Sequence, residues 1–408
     1  MKALVFVFCL SLLLAGVAPA DSLNVRLVGS CDTRGSAMGV DVSGSYAYVA
    51  ASAYGLRVIS ISDPTNPVEV GYYDTPGTAY GVAVTGDYAC VAAASAGLRI
   101  ISISDPAHPT EVGFYDSLGS VLGVAVSGSF AYIANDLYGL RVISVPGATE
   151  VGHCDTLRQA SGVAVSGSYA YVADGDSGLW VVSVSNPEDP VGHCDTPGEA
   201  NGVAVSGNYA YVADGSGGLR VISVSNPAHP VEVGYCGAPA DAYGVAKSGT
   251  NAYLADGSAG LRIISVSNPA FPGEVGYYDA LGVAHGVAVS GDYAYVADGS
   301  AGLQVLQFYG EGVEESPEPC VQSRKLAATV VRGMLRLGVG SIQQTGDWAE
   351  LLDAAGRKVL DLRSGANDVR ALAPGVYFCR PTAGFASSGE PQAASHKPQT
   401  VSKVIVTR

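Results

Sequence analysis

Between Leu23 and Tyr309, apolar and polar positions alternate with period two in short runs, and the same four runs recur along the chain. Alternation of this kind predicts half-buried strands rather than helices. In the copy Gly202–Tyr243, strand A is Gly202–Ser206 and strand B is Tyr209–Ala213, joined by a Gly207-Asn208 turn. The turn Asp214–Gly218 leads to strand C, Leu219–Ser225, and the corner Asn226-Pro227 to Pro230 delivers strand D, Val231–Cys236. Gly, Asn, Asp and Pro supply the turn geometry, while Val, Ile and Tyr suit a pleated packed surface. Each unit is therefore predicted to be a four-stranded antiparallel sheet with two apolar faces. A single unit buries neither face, so the units must stack on one another.

The glycine that opens strand A falls at Gly39, Gly81, Gly123, Gly162, Gly202, Gly244 and Gly286, at spacings of 42, 42, 39, 40, 42 and 42. There are thus seven A-B-C sets. Strand D also occurs seven times, but its first copy, Val25–Asp32, precedes any strand A, and the last set stops at strand C, Leu303–Tyr309. If the N-terminal strand completes the last sheet, the ring closes and no repeat edge stays unpaired. The predicted fold is all-β: a seven-bladed β-propeller closed by its N-terminal strand.

The runs Leu56-Arg-Val-Ile-Ser-Ile-Ser-Asp63 and Leu219-Arg-Val-Ile-Ser-Val-Ser-Asn226 resemble the signature of the LVIVD-repeat family, with Ser where an acid usually follows the second Ile. The resemblance covers the repeat region and implies a propeller in a secreted or surface protein. It implies no particular activity.

Residues 1–20 resemble a signal peptide, with Lys2, an apolar core from Ala3 to Ala15, and Ala18-Pro19-Ala20 as a cleavage site. Asp21 stands where a lipoprotein would carry Cys, and no later run is apolar and long enough to span a membrane. A secreted or cell-surface protein is expected. Residues 21–310 carry 9 Lys and Arg against 27 Asp and Glu, a net of −18, whereas residues 311–408 carry 12 against 10, a net of +2. An acidic propeller argues against nucleic acid and anionic membranes as partners.

Cys31, Cys154, Cys194 and Cys236 share one position in strand D, where Tyr73, Tyr115 and Tyr278 stand in other copies. Three inter-strand steps of about 4.8 Å separate strand D from strand A, so equivalent positions in neighbouring blades are too far apart for a disulfide. Buried free thiols are expected there and at Cys90, which replaces a Tyr of strand B.

Residues 311–319 form an acidic linker (EGVEESPEP), after which 320–408 predict a small immunoglobulin-like β-sandwich. Its expected strands are Leu335–Val339, Trp348–Leu352, Lys358–Leu362, Asn367–Leu372, Val376–Arg380 and Ser402–Thr407. The runs Leu351–Val359, Ala371–Phe378 and Lys403–Arg408 resemble the C-terminal sorting domain of type IX secretion cargo. That resemblance implies secretion machinery as a partner. The usual Tyr-Pro-Asn-Pro-like opening is absent, and Thr382–Thr400 is a polar insert; the alternative is an accessory domain without a sorting role.

No phosphate-binding loop, nucleophile elbow or HExxH motif is present. His108 and His229 share one corner position, and His153 and His193 share one strand D position, so both pairs follow from repeat duplication. The informative residues break the repeat. The position before each strand A glycine, expected at the channel mouth, reads Met38, Tyr80, Leu122, Ser161, Asn201, Tyr243 and His285. Tyr54 and Tyr138 lie in B–C turns expected on the same face. After strand B come Ala51, Ala93, Asn135, Asp174, Asp214, Asp256 and Asp298. The second residue of strand C is Arg in five blades, so Asp214 can pair with Arg220 and Asp256 with Arg262, while Asp174 and Asp298 face Trp180 and Gln304. Asp174 and Asp176 form a D-x-D arrangement of the kind that ligates Ca²⁺, against the alternative of a plain turn. No other cofactor is expected.

These features point to an exported binding or interaction module for an extracellular glycan, small molecule or protein. Rings that stack on sugar faces or attract cations favour Tyr80, Asn201, Tyr243 and His285 as working residues. Two alternatives stay open. One is an extracellular enzyme at the channel mouth, with His285 and Asp298 as the candidate pair; the other is a structural envelope protein.

Overall fold

Around one axis, seven antiparallel sheets repeat the order A-B-C-D in the computed structural model, which describes residues 22–155 and 157–310 and seven strands between residues 327 and 406. In the first blade the strands are Gly39–Ser43, Tyr46–Ala50, Leu56–Ser60 and Val68–Tyr73. In the fifth they are Gly202–Ser206, Tyr209–Ala213, Leu219–Ser223 and Val231–Cys236, so strand C ends two residues earlier than the pattern predicts. The blades bury their faces against each other. Tyr211, Leu219 and Val221 of the fifth blade pack on Ala252, Leu254 and Ile264 of the sixth.

Two rings of glycine let the blades approach. A Cβ on Gly202 would lie 2.6 Å from the carbonyl oxygen of Tyr243 in the next blade, and one on Gly39 would lie 2.6 Å from that of Tyr80. The strand A glycine therefore marks the closest contact between inner strands. Farther out, each strand D carries a second glycine packed on the next blade's corner: a Cβ on Gly71 would meet the Pro106 oxygen at 2.2 Å.

The predicted closure is present. Val25–Cys31 pairs antiparallel with Leu303–Phe308, completing the last blade. Gly29 takes the outer glycine's place, with its Cβ position 2.3 Å from the Pro64 oxygen of the first blade. One element was not foreseen: Ser22–Leu23 pairs with Tyr277 and Tyr278, adding a fifth strand to the sixth blade. Asn24 makes the crossing between blades at φ 56°, with its Nδ2 donating to the Val275 oxygen at 2.8 Å.

The five described repeat cysteines are free thiols, as the spacing argument requires. Cys90 and Cys154 are buried, Cys154 within the cluster that holds Leu140 and Leu157, but Cys31, Cys194 and Cys236 are half-buried at the end of strand D. No helix among the described residues is long and apolar enough to cross a membrane. The expected signal peptide and linker lie outside the described residues.

The chain divides into two compact units, Met1–Val313 and Glu314–Arg408. In the second, Ala327–Val331, Met334–Gly338 and Gly365–Asp368 form one antiparallel sheet. Asp347–Leu352, Lys358–Arg363, Gly375–Pro381 and Ser402–Val406 form another. Ala327–Val331 was not expected. Of the expected Asn367–Leu372 only Asn367 and Asp368 are in a strand, and the rest, like the insert Thr382–Thr400, lies outside the described residues.

Candidate binding site at the channel mouth

One backbone device places the B–C turns and D–A loops on the same face. Each B–C turn bridges to the loop that enters the next blade, as in Ser52 with Ala79, Gly215 with Ala242 and Gly257 with Ala284. The residue before each strand A glycine then extends the ladder by one bond. The N–H of Tyr243 donates to the Ala255 oxygen at 2.9 Å, and that of His285 to the Ala297 oxygen at 2.9 Å. Met38, Tyr80, Leu122, Ser161, Asn201, Tyr243 and His285 thus share one level of the ring, directly above the inner glycines.

Two of these side chains meet. The rings of Tyr243 and His285 lie 5.2 Å apart at a tilt of 46°. Tyr243 is 36% exposed and borders a cleft of about 590 Å³ lined also by Ser216, Asp241, Ser258 and Val283. Burial holds His285 below its ordinary range, so its imidazole is neutral near pH 7. Asn201 donates from Nδ2 to the Ala242 oxygen at 3.1 Å and braces the loop that carries Tyr243. Ser161 Oγ donates to the Gln159 oxygen, and Met38 sulfur accepts from Ser36 Oγ at 3.7 Å. Tyr80 and Leu122 are half-buried.

Tyr54 and Tyr138 make contacts along their own blades. The Arg57 guanidinium stands 5.6 Å from the Tyr54 ring and 4.7 Å from that of Tyr72 in the outermost strand. Tyr138 lines a cleft of about 180 Å³ with Leu118, Arg141, Glu150 and His153, out along the third blade. Tyr54 thus stands by the arginine of its own blade, and Tyr138 by the cleft of the third.

The acids after strand B are buried beneath the loops: Asp174 is 1% exposed, and Asp214, Asp256 and Asp298 are 0% exposed. Their work is to hold the incoming loop. Asp214 accepts from Thr196 Oγ1 at 2.5 Å, from the Gly198 N–H at 2.9 Å and from Arg220 Nε at 3.1 Å. Asp256 pairs with Arg262 at 3.6 Å, and burial nonetheless pushes its carboxyl up to about 6. Asp174 accepts from the N–H groups of Arg158 and Gln159, at 3.0 and 2.7 Å. Burial raises its carboxyl too, against those donors. Asp176 is exposed on the turn, and no group of three or more His, Cys, Asp or Glu able to hold a metal ion occurs among the described residues.

Asp298 stands apart. Its Oδ2 accepts from the Gly282 N–H at 3.3 Å, while its buried Oδ1 has no partner, and burial pushes the carboxyl up to about 6. Gln304, in place of arginine, turns its Nε2 to the Ala301 oxygen at 2.8 Å. Among the described residues no hydrogen bond or ion pair joins His285 to Asp298.

Two residues escaped the sequence reading. Asp41 and Lys247 replace Ala and Val of strand A in the first and sixth blades and border the central channel. Comparing each strand A position across all seven copies would have found them.

No curated protein matches the sequence. Two solved structures are similar in fold. The computationally designed Ika8 protein aligns at TM-score 0.53 and 9% identity, over 66% of this chain and 83% of that one. A chain of the mitotic checkpoint complex aligns at TM-score 0.61 and 14% identity, over 76% of this chain and 100% of that one. The model of the LVIVD repeat matches seven consecutive segments, 34–75, 76–117, 118–156, 157–196, 197–237, 239–280 and 281–306, and the chain belongs to the LVIVD repeat family.

Proposed function

We propose that this protein is an exported binding module whose site is the sector of the channel mouth around Tyr243 and His285. The observation that carries the reading is their paired rings, 5.2 Å apart, beside an open cleft bordered by Asp241 and Ser258. The seven mouth positions hold six residue types, with only Tyr repeated, directly above inner strands that repeat Val and Ala. An aromatic pair next to an exposed carboxylate suits a sugar face or an organic cation. A glycan array and a set of quaternary amines, applied to the full chain, test this. For a ligand so found, Tyr243→Ala should weaken binding about tenfold, the loss of one good stacking contact. Its melting temperature should stay within about 2 °C of the wild type, since the ring is partly exposed. Unchanged binding with a lowered melting temperature would instead make Tyr243 a packing residue.

Export would be served by residues 1–20 as a signal peptide, and delivery to the surface by residues 320–408 as a sorting-type β-sandwich. The terminal runs quoted above support that reading. Deletion of 320–408 is expected to keep the protein from the surface of a type IX-competent host while the repeats still unfold cooperatively. Surface protein in undiminished amount, measured by protease shaving, would make the domain accessory.

A further inference from the structure

The inner strands enclose a central channel with a cavity of about 450 Å³. The inner strands that line it read Val-Ala-Val in five blades: Val82–Val84, Val124–Val126, Val163–Val165, Val203–Val205 and Val287–Val289, of which all but Val84 border the cavity. The first blade reads Val40-Asp41-Val42 and the sixth Val245-Ala246-Lys247. An otherwise apolar wall thus carries one acid and one base, at successive levels below the mouth. Five blades build this wall without a charge, so the repeat does not require either one.

Both side chains are oriented but not neutralised. Asp41 Oδ1 accepts from the Val42 N–H at 2.8 Å, and Oδ2 accepts from the Val84 N–H of the next blade at 2.8 Å. Each oxygen keeps a lone pair for another donor. Lys247 Nζ donates to the Gly249 oxygen and stands 5.6 Å from the Tyr211 ring centroid, with two N–H groups left. No ion pair joins Asp41 and Lys247 to each other or to another charged group among the described residues. Burial pushes the Asp41 carboxyl up and the Lys247 amine down, so each charge is held at a cost.

We propose that the channel binds a small dipolar molecule, its ammonium group facing Asp41 and its carboxylate facing Lys247. The valines between them suit a short run of methylenes. One ligand of this class would compensate both charges and displace channel water from apolar walls, which neither a simple anion nor a simple cation does.

The test is calorimetric titration of the full chain with a ladder of ω-amino acids: glycine, β-alanine, 4-aminobutyrate and 6-aminohexanoate. Hexanoate and hexylamine serve as single-charge controls. At least one member should bind below about 10 mM, more tightly than either control. Asp41→Asn and Lys247→Val should each weaken it about tenfold or more. Lys247→Val restores the repeat and should melt no lower than the wild type, while Asp41→Asn keeps an acceptor for a backbone donor. Tyr243→Ala should leave this binding unchanged, which separates the channel from the mouth. The proposal is overturned if no member binds, if binding survives both substitutions, or if the loss occurs in Tyr243→Ala instead. A clear drop in the melting temperature of Lys247→Val also overturns it, because the lysine would then serve the fold.

Discussion

Deletion of residues 22–33 is expected to abolish the cooperative thermal transition of the repeats. Val25–Cys31 is the fourth strand of the last blade, and without it the strand Leu303–Phe308 becomes an open edge. Leu303 and Val305 are 0% exposed and Leu306 is 1% exposed in the closed ring. Re-exposing aliphatic side chains of this size costs about 1.5–3 kcal/mol each. Three of them approach the total stability of a typical domain, about 5–15 kcal/mol. The deletion also strips Gly29 from the first blade's corner and Leu23 from the sixth blade, so three blades lose contacts at once. Removing only residues 22 and 23 spares the seven four-stranded sheets and should lower the melting temperature by only about 2–4 °C. Calorimetry and circular dichroism on both truncations check the contrast. A protein lacking 22–33 that melts like the intact chain would show that the ring is held by its other six blade contacts alone.

The closure was legible because it is a matter of counting. Seven A-B-C sets with a strand D at the front and none at the back leave one arrangement without unpaired edges. The strand at Ser22–Leu23 was not legible, since two residues carry no periodicity. The outer glycine at Gly71 and its equivalents was visible as a repeated letter, yet its reason, the next blade's Pro106 oxygen, is a contact across 35 residues that only the assembled ring supplies. At the mouth, sequence variety marked a ring of seven positions, and within it the rings of Tyr243 and His285 lie against each other. Turn residues can also lean outward along the blade: the Tyr54 ring stands by Arg57, and Tyr138 borders a cleft with Arg141. Asp41 and Lys247 were passed over because they interrupt the most uniform columns of the repeat, where a single change is easily read as drift.

The acids after strand B offer a sharper test, since two residues at one repeat position should respond to the same substitution with opposite sign. Asp214 is satisfied by Thr196, Gly198 and Arg220. Asp214→Asn puts an amide N–H against one of these donors and removes the charge that faces Arg220, whose side chain is 12% exposed. Breaking such a buried pair from one side is expected to cost about 3 kcal/mol. Asp298 has neither partner: Ala280 stands where Thr196 does, and Gln304 where Arg220 does. Its folded carboxyl is pushed up to about 6, against about 3.8 for an aspartate free in water. Below pH about 4 both folded and unfolded forms are protonated, and the folded state keeps its full stability. As pH rises from about 4 to 6 the unfolded chain ionises first, so stability falls until the folded group ionises too. Asparagine stays neutral throughout and is already accommodated at this position in the third blade, where buried Asn135 accepts from Ser117 Oγ at 2.6 Å. Asp298→Asn should therefore match the wild type near pH 4 and exceed it by on the order of 2 kcal/mol at pH 8. Asp256, also raised to about 6, is present in both proteins and cancels from the difference. Urea unfolding at pH 4, 6 and 8 measures it. An Asp298→Asn protein no more stable than the wild type at pH 8 would mean that the buried charge is compensated after all.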